Sequence, residues 1–166
     1  MDGLTHLTAF ENQLVQIEKS LMLGRGRWIA DFTESFRNWN VNDVTFDVFI
    51  QGNTRMKGFL LSRLFSATVN PNYQVGCYIV SADRAKEVDR KSLLKMLHAV
   101  NASMKENEMK WAWLFILCAK AADFQKKLVE SIKDQAVGIA LVEVDSKNIV
   151  NSDSYIGKQA RRFIKL

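Results

Sequence analysis

The sequence predicts a single α/β domain spanning residues 1–166, with a central mixed sheet flanked by helices. Its length of 166 residues, with 48% hydrophobic and 25% charged residues, is typical of one soluble globular domain. The first half contains strand-like segments with short connections, which favours an antiparallel meander. The second half alternates amphipathic helices with strands that are apolar on both faces, which indicates parallel strands joined by crossover helices.

The chain begins with a segment of helical periodicity. A helix is predicted from Leu4 to Leu23, and Gly24-Arg25-Gly26 is expected to end it. The next segment, Trp28 to Trp39, fits either a helix or a strand, and we predict a helix with the strand as the alternative. The apolar stripe of the first helix consists of Leu7, Phe10, Leu14, Ile17 and Leu21.

Three strand-like segments follow, and the first of them is rich in β-branched and aromatic residues. They are Val44–Ile50, Met56–Phe65 and Tyr73–Ser81. Turns are predicted at Gly52-Asn53 and at Asn70-Pro71-Asn72, so the three strands are expected to form an antiparallel meander.

Helices and strands alternate after residue 81. Asp89 and Asp123 are predicted N-caps of two helices, and Trp111–Cys118 and Val137–Val144 are predicted strands that are buried on both faces. A last amphipathic helix is predicted from Tyr155 to Leu166. The side chains expected to face the core from the first two of these helices are Leu93, Leu94, Leu97, Val100 and Met104, then Phe124, Leu128, Val129 and Ile132.

The charge distribution suggests an anionic partner. Residues 1–83 carry seven Lys and Arg against eight Asp and Glu, whereas residues 84–166 carry sixteen against ten. No acidic residue follows Asp153, so no neighbouring charge is expected to neutralise the final basic residues, and Tyr155 could stack on a base. The predicted nucleic-acid-binding residues are Lys158, Arg161, Arg162 and Lys165. A solvated helix surface is the alternative interpretation.

Residue types that would support catalysis are scarce. Cys77 and Cys118 lie in apolar segments and are predicted to be buried structural thiols, and no metal site or cofactor is predicted. His98 is not predicted to be a catalytic base, because no Ser or Cys has a sequence pattern typical of a nucleophile. The N-terminus lacks a secretory signal and the longest apolar run is too short for a membrane span, so a cytoplasmic protein without membrane contact is expected.

One edge of the sheet is a second candidate site. Glu143 and Asp145 lie at the carboxyl end of the last predicted buried strand, and Lys120 ends the strand before it. Ligands of open α/β sheets usually bind at this edge. An ion pair between Lys120 and Asp145 that ties the strand ends together is an equal alternative.

The order of elements resembles the restriction-endonuclease-like (PD-(D/E)XK) superfamily over about residues 4–145. The shared order is helix, three-strand meander, helix, strand, helix, strand. The resemblance implies an acidic residue on the second meander strand and a Glu/Asp-x-Lys triplet on the third, which together hold a divalent cation. The predicted second strand, Met56–Phe65, contains no carboxylate, and the third ends in Val80-Ser81-Ala82-Asp83.

The leading hypothesis is therefore a non-catalytic restriction-endonuclease-like protein that binds nucleic acid through its basic C-terminal half. One alternative is a metal-dependent nuclease with a rearranged site. The other is a protein–protein interaction module or homodimer, for which four Trp and ten Phe are a generous supply. The residues that a rearranged nuclease site would use are Asp47, Asp83, Lys86 and Glu87.

Overall fold

The computed structural model describes residues 2–23, 30–54, 74–82 and 88–164, apart from the side chains of residues 2–7 and 163. The described residues form one α/β domain with a six-stranded mixed sheet. In chain order the elements are α1 (Asp2–Leu23), β1 (Ala30–Val41), β2 (Val44–Thr54), β3 (Gln74–Ser81), α2 (Arg90–Glu106), β4 (Met109–Cys118), α3 (Asp123–Ser131), β5 (Val137–Glu143), β6 (Asn148–Asn151) and α4 (Tyr155–Phe163).

The strands follow one another across the sheet in sequence order, from β1 to β6. The first three strands are antiparallel, β3, β4 and β5 are parallel, and β6 pairs antiparallel with β5. The predicted mixed sheet, with a meander followed by parallel strands, is confirmed. The short edge strand β6 was not predicted.

β4 is the central strand, as predicted for Trp111–Cys118. Side chains from one of its faces pack with α1 and α4, and side chains from the other pack with α2 and α3. Alternate residues such as Trp113 and Leu114 are therefore both fully buried on opposite faces. The sheet is thus the middle layer of three.

β1 corrects the prediction of a helix over Trp28–Trp39. From residue 30 the chain is extended and pairs with β2 through a two-residue turn at Asn42 and Asp43, both with positive φ. Pairing with β2 outweighs the weak helical periodicity of this segment. In the strand, Ala30 and Phe32 are buried and the residue between them is exposed, as expected for alternate side chains.

The predicted turn at Gly52-Asn53 is also wrong, since both residues lie inside β2. Gly52 is needed there because a Cβ would lie 2.1 Å from the Asp31 carbonyl oxygen, beside the irregularity between Phe32 and Glu34. The second predicted strand, Met56–Phe65, lies outside the described residues. The middle strand of the meander is β2 instead.

The two crossover helices match most of their predicted stripes. In α2, Asp89 is the N-cap and its side chain accepts a hydrogen bond from the Ser92 N–H. In α3 the N-cap is Ala122 rather than Asp123, and the Gln125 side chain accepts the Ala122 N–H. Leu94 and Phe124, both predicted to face the core, are 51% and 60% exposed.

Leu93 and Leu94 provide a matched test of the α2 orientation, because neighbouring residues of one helix have exposed fractions of 0% and 51%. We expect Leu93→Ala to lower the free energy of unfolding by about 3 kcal/mol, because it removes buried methyl groups and leaves a cavity. Leu94→Ala should change it by less than about 0.5 kcal/mol. Urea denaturation of both variants measures the difference, and equal losses would contradict the orientation.

Candidate functional site

The basic C-terminal helix α4 is held firmly against the sheet. The Ser154 side chain caps its start by accepting the Gly157 N–H at 3.0 Å, and Trp113 on β4 donates its indole N–H to the Ile156 carbonyl at 3.0 Å. A Cβ on Gly138 would lie 2.8 Å from the backbone nitrogen of Gly157, so β5 and α4 touch backbone to backbone. The exposed side chains of α4 are therefore presented by a rigid support.

The structure brings three of the four predicted basic residues to one surface. Lys158 and Arg161 line a shallow cavity of about 450 Å³ together with Glu130, Asn151 and Asp153. A hydrogen bond holds the Arg161 side chain in place: its guanidinium donates to the Ile149 carbonyl oxygen at 2.5 Å.

The third, Arg162, is exposed and makes no ion pair or hydrogen bond within the part of the chain that the structure describes. Lys165, the fourth, lies outside the described residues.

The expectation that no acidic residue neutralises this surface is wrong. Asp153, at the start of the turn that leads into α4, pairs with Lys158 at 2.8 Å. The hydrogen bond from Lys158, together with its charge, lowers the pKa of Asp153. Tyr155, predicted to stack on a base, packs partly against the core. The positive charge therefore rests mainly on Arg161 and Arg162.

Glu143 connects several segments at the carboxyl ends of the parallel strands. Its side chain is buried at the end of β5, where one carboxylate oxygen accepts the Ala121 N–H at 2.8 Å and lies 3.2 Å from the Lys126 ammonium. The other oxygen accepts hydrogen bonds from Ser146 and Asn148. The carboxylate thus ties α3 and the β5–β6 turn to the end of β4.

These contacts control the ionisation of Glu143. Burial opposes the charged form and would raise its pKa, but the hydrogen bonds from Ala121, Asn148, Lys126 and Ser146 outweigh burial and lower the pKa to about 2. Glu143 is therefore ionised at neutral pH, and all its acceptor positions are used inside the protein.

The ion pair considered between Lys120 and Asp145 is not formed. Both side chains are exposed at the rim of an open cavity of about 480 Å³ above Glu143, and neither has an ion-pair partner among the described residues. Lys126 supplies the pair instead, with Glu143. The sequence does not identify Lys126 as the partner of Glu143. Only the packing of α3 against the sheet shows that this lysine, one turn into the helix, reaches the end of β5.

Asp47 changes the comparison with the nuclease pattern. The middle strand of the meander is β2, which carries Asp47, and the Asp47 carboxylate accepts the Ser81 N–H at 2.7 Å. The premise that the second strand offers no carboxylate is therefore wrong. Asp83, Lys86 and Glu87 lie outside the described residues. Within the described part, no group of three or more His, Cys, Asp and Glu could hold a metal ion.

The remaining candidates carry little chemistry. Cys77 and Cys118 are free and buried as predicted, and burial raises the pKa of both thiols, that of Cys118 to about 11. His98 is exposed on α2. The segment Gly24-Arg25-Gly26, predicted to end the first helix, lies outside the described residues.

The exposed apolar surface is limited in the described ranges. The large hydrophobic side chains exposed there are those of Leu23, Leu94 and Phe124, so only one of them is aromatic. The aromatic residues of these ranges mainly build the core, which weakens the argument for a protein–protein interface made from them. No helix in the described ranges has the length and apolar character needed to cross a membrane.

Comparison of the chain with protein-family models, with curated proteins and with solved structures finds no match.

The buried Glu143 network predicts a defined pH dependence of stability. Because the folded pKa of Glu143, about 2, is below its ordinary value of 4.5, ionised Glu143 stabilises the fold fully above pH 4.5. This stabilisation, about 3 kcal/mol, is lost progressively as the pH falls towards 2. Glu143→Gln should lower the free energy of unfolding at pH 7 by about 3 kcal/mol and flatten the stability profile at acidic pH.

Urea denaturation between pH 7 and pH 2.5 measures this profile. Asp145→Asn is the matched control, because its carboxylate is exposed two residues away. An unchanged acid profile in Glu143→Gln would contradict the assignment.

Proposed function

We propose that the protein is a non-catalytic, restriction-endonuclease-like protein that binds nucleic acid through the basic surface of its C-terminal half. The element order supports the family resemblance, because a helix, three antiparallel strands, a helix, a strand, a helix and a strand follow one another in the chain. The basic surface consists of Lys158, Arg161, Arg162 and Lys165, of which Lys165 is retained from the sequence prediction alone.

A single observation carries the proposal: two adjacent arginines are exposed on a helix that is locked to the sheet. Arg161 and Arg162 are both exposed, while Ile156 and Ala160 of the same helix are buried. A guanidinium forms bidentate hydrogen bonds with phosphate, and a rigid support lowers the entropy lost on binding. Contacts of this kind recognise the backbone rather than the base sequence.

The loss of catalysis in the proposal rests on the residues of the third strand. Where the resemblance implies an acidic residue followed two positions later by lysine, the chain has Ser81-Ala82-Asp83. A serine hydroxyl is a weaker cation ligand than a carboxylate, and an aspartate in place of lysine cannot orient an attacking water as an ammonium would.

The double variant Arg161→Glu and Arg162→Glu tests the proposal. It should abolish the salt-sensitive retention of a short DNA duplex and its single strand, because two phosphate contacts become repulsive. For Arg162→Ala alone, the slope of log affinity against log salt should fall by about 1. The melting temperature of the double variant should drop by less than about 4 °C, since one hydrogen bond, from Arg161 to Ile149, is lost.

Lys105→Glu with Lys110→Glu is the control of equal charge change. These exposed lysines lie where α2 ends and β4 begins, at the opposite edge of the sheet from the carboxyl ends of the parallel strands. Equal losses of retention in both double variants would indicate net charge rather than a site. Undiminished retention in the arginine variant would exclude the proposed surface.

A metal-dependent nuclease is the second candidate, and Asp47 is the observation that favours it. This carboxylate lies on the middle meander strand and contacts the end of the third strand at Ser81, which is the place that the resemblance assigns to an acidic residue. The described residues supply no complete metal site around it.

Plasmid cleavage with added Mg²⁺ or Mn²⁺ tests this second candidate. If Asp47 is a ligand, Asp47→Asn should reduce the cleavage rate by at least about a hundredfold, while Asp145→Asn should leave it unchanged. Cleavage that persists in Asp47→Asn, or no cleavage by the unmodified protein, removes the candidate.

A further inference from the structure

A cavity lies between the β1–β2 turn and the first turns of α2, on the face of the sheet opposite to α4. Its volume is about 360 Å³, which is at the small end of the range for small-molecule pockets. The lining residues are Asp43, Val44, Thr45, Val80, Ser92, Lys95 and Met96.

The floor of the cavity is apolar and belongs to the core. Val44, Val80 and Met96 are at least nine-tenths buried and pack in the same hydrophobic cluster. The two valines supply aliphatic surface, and a methionine thioether makes favourable contacts with aromatic rings. The floor therefore suits a planar, weakly polar ring.

The rim is polar, and it carries one acidic and one basic side chain. The Thr45 hydroxyl donates to the Asn40 side chain, and the Ser92 side chain takes part in the Asp89 capping box. Asp43 and Lys95 are exposed and have no ion-pair or hydrogen-bond partner among the described residues. The cavity thus combines one carboxylate and one ammonium, neither of them paired within the described ranges, with an apolar base.

We propose that this cavity binds a single nucleoside monophosphate unit. The base packs on Val44, Val80 and Met96, the Asp43 carboxylate accepts a hydrogen bond from an exocyclic amino group, and the Lys95 ammonium pairs with the phosphate. The unit is either a free nucleotide or the 5′-phosphorylated end of a strand. The second source rests on the proposed function, whereas the first does not.

The site is independent of the basic surface on α4. The floor of the cavity packs with α2 and α3, whereas Ile156 and Ala160 of α4 pack in the cluster on the other face of the sheet. Variants of one site therefore leave the other intact, and failure of either proposal is recognised separately.

Titration with adenosine monophosphate, followed by calorimetry and by amide chemical shifts, tests the proposal. Lys95→Ala should weaken the affinity for adenosine monophosphate by at least about tenfold, because a charge-assisted contact to phosphate is lost. Lys91→Ala is the control, since Lys91 is exposed on the same helix and is absent from the lining. Adenosine, which lacks the phosphate, should bind equally to the unmodified protein and to Lys95→Ala.

A 5′-phosphorylated oligonucleotide, compared with its unphosphorylated form, distinguishes the two sources. Lys95-dependent binding of the free nucleotide supports the first source, and Lys95-dependent preference for the phosphorylated strand without binding of the nucleotide supports the second. Thr45→Trp, which narrows the mouth from an exposed position, should abolish either. Binding that is equal in Lys95→Ala and the unmodified protein, or no binding of either ligand at millimolar concentration, overturns the proposal.

Discussion

Burial of β4 on both faces is the constraint on which the rest of the structure depends. Residues 111–118 place aromatic and aliphatic side chains alternately on the two faces, and each of them is buried. The helices that connect β3 to β4 and β4 to β5, α2 and α3, pack on one face only. This is expected when successive crossovers share one handedness. The terminal helices α1 and α4 must therefore cover the other face, and they do.

This arrangement determines where the candidate sites lie. Because α4 is required as a cover for β4, its inner residues are held by the core, and Trp113 fixes its first turn through the Ile156 carbonyl. The outward-facing residues of α4, among them Arg161 and Arg162, therefore project from a backbone that the core holds in place. On the other face, the parallel strands bring the starts of α2 and α3 to one edge. The cavity beside Lys95 and the Glu143 network both lie there.

Much of the fold could be predicted because local patterns and packing agree in the second half of the chain. Asp89 caps α2, and the alternation over Trp111–Cys118 identifies a central strand. The helix predicted over Trp28–Trp39 was wrong because β1 owes its conformation to pairing with β2 rather than to its own periodicity. Lys126 could not be predicted as the partner of Glu143, since their contact joins residues of different elements.

Net charge alone is a poor description of the basic half of the chain. Lysine and arginine outnumber the acidic residues after residue 83. Some of these positive charges form ion pairs in the folded protein, since Lys126 pairs with Glu143 and Lys158 with Asp153. A paired ammonium attracts a phosphate less strongly than a free one, because the neighbouring carboxylate repels the ligand. The attraction that the fold would exert on an anion is therefore concentrated on side chains without an ion-pair partner in the described ranges, such as Arg162 and Lys95, which lie on opposite faces of the sheet.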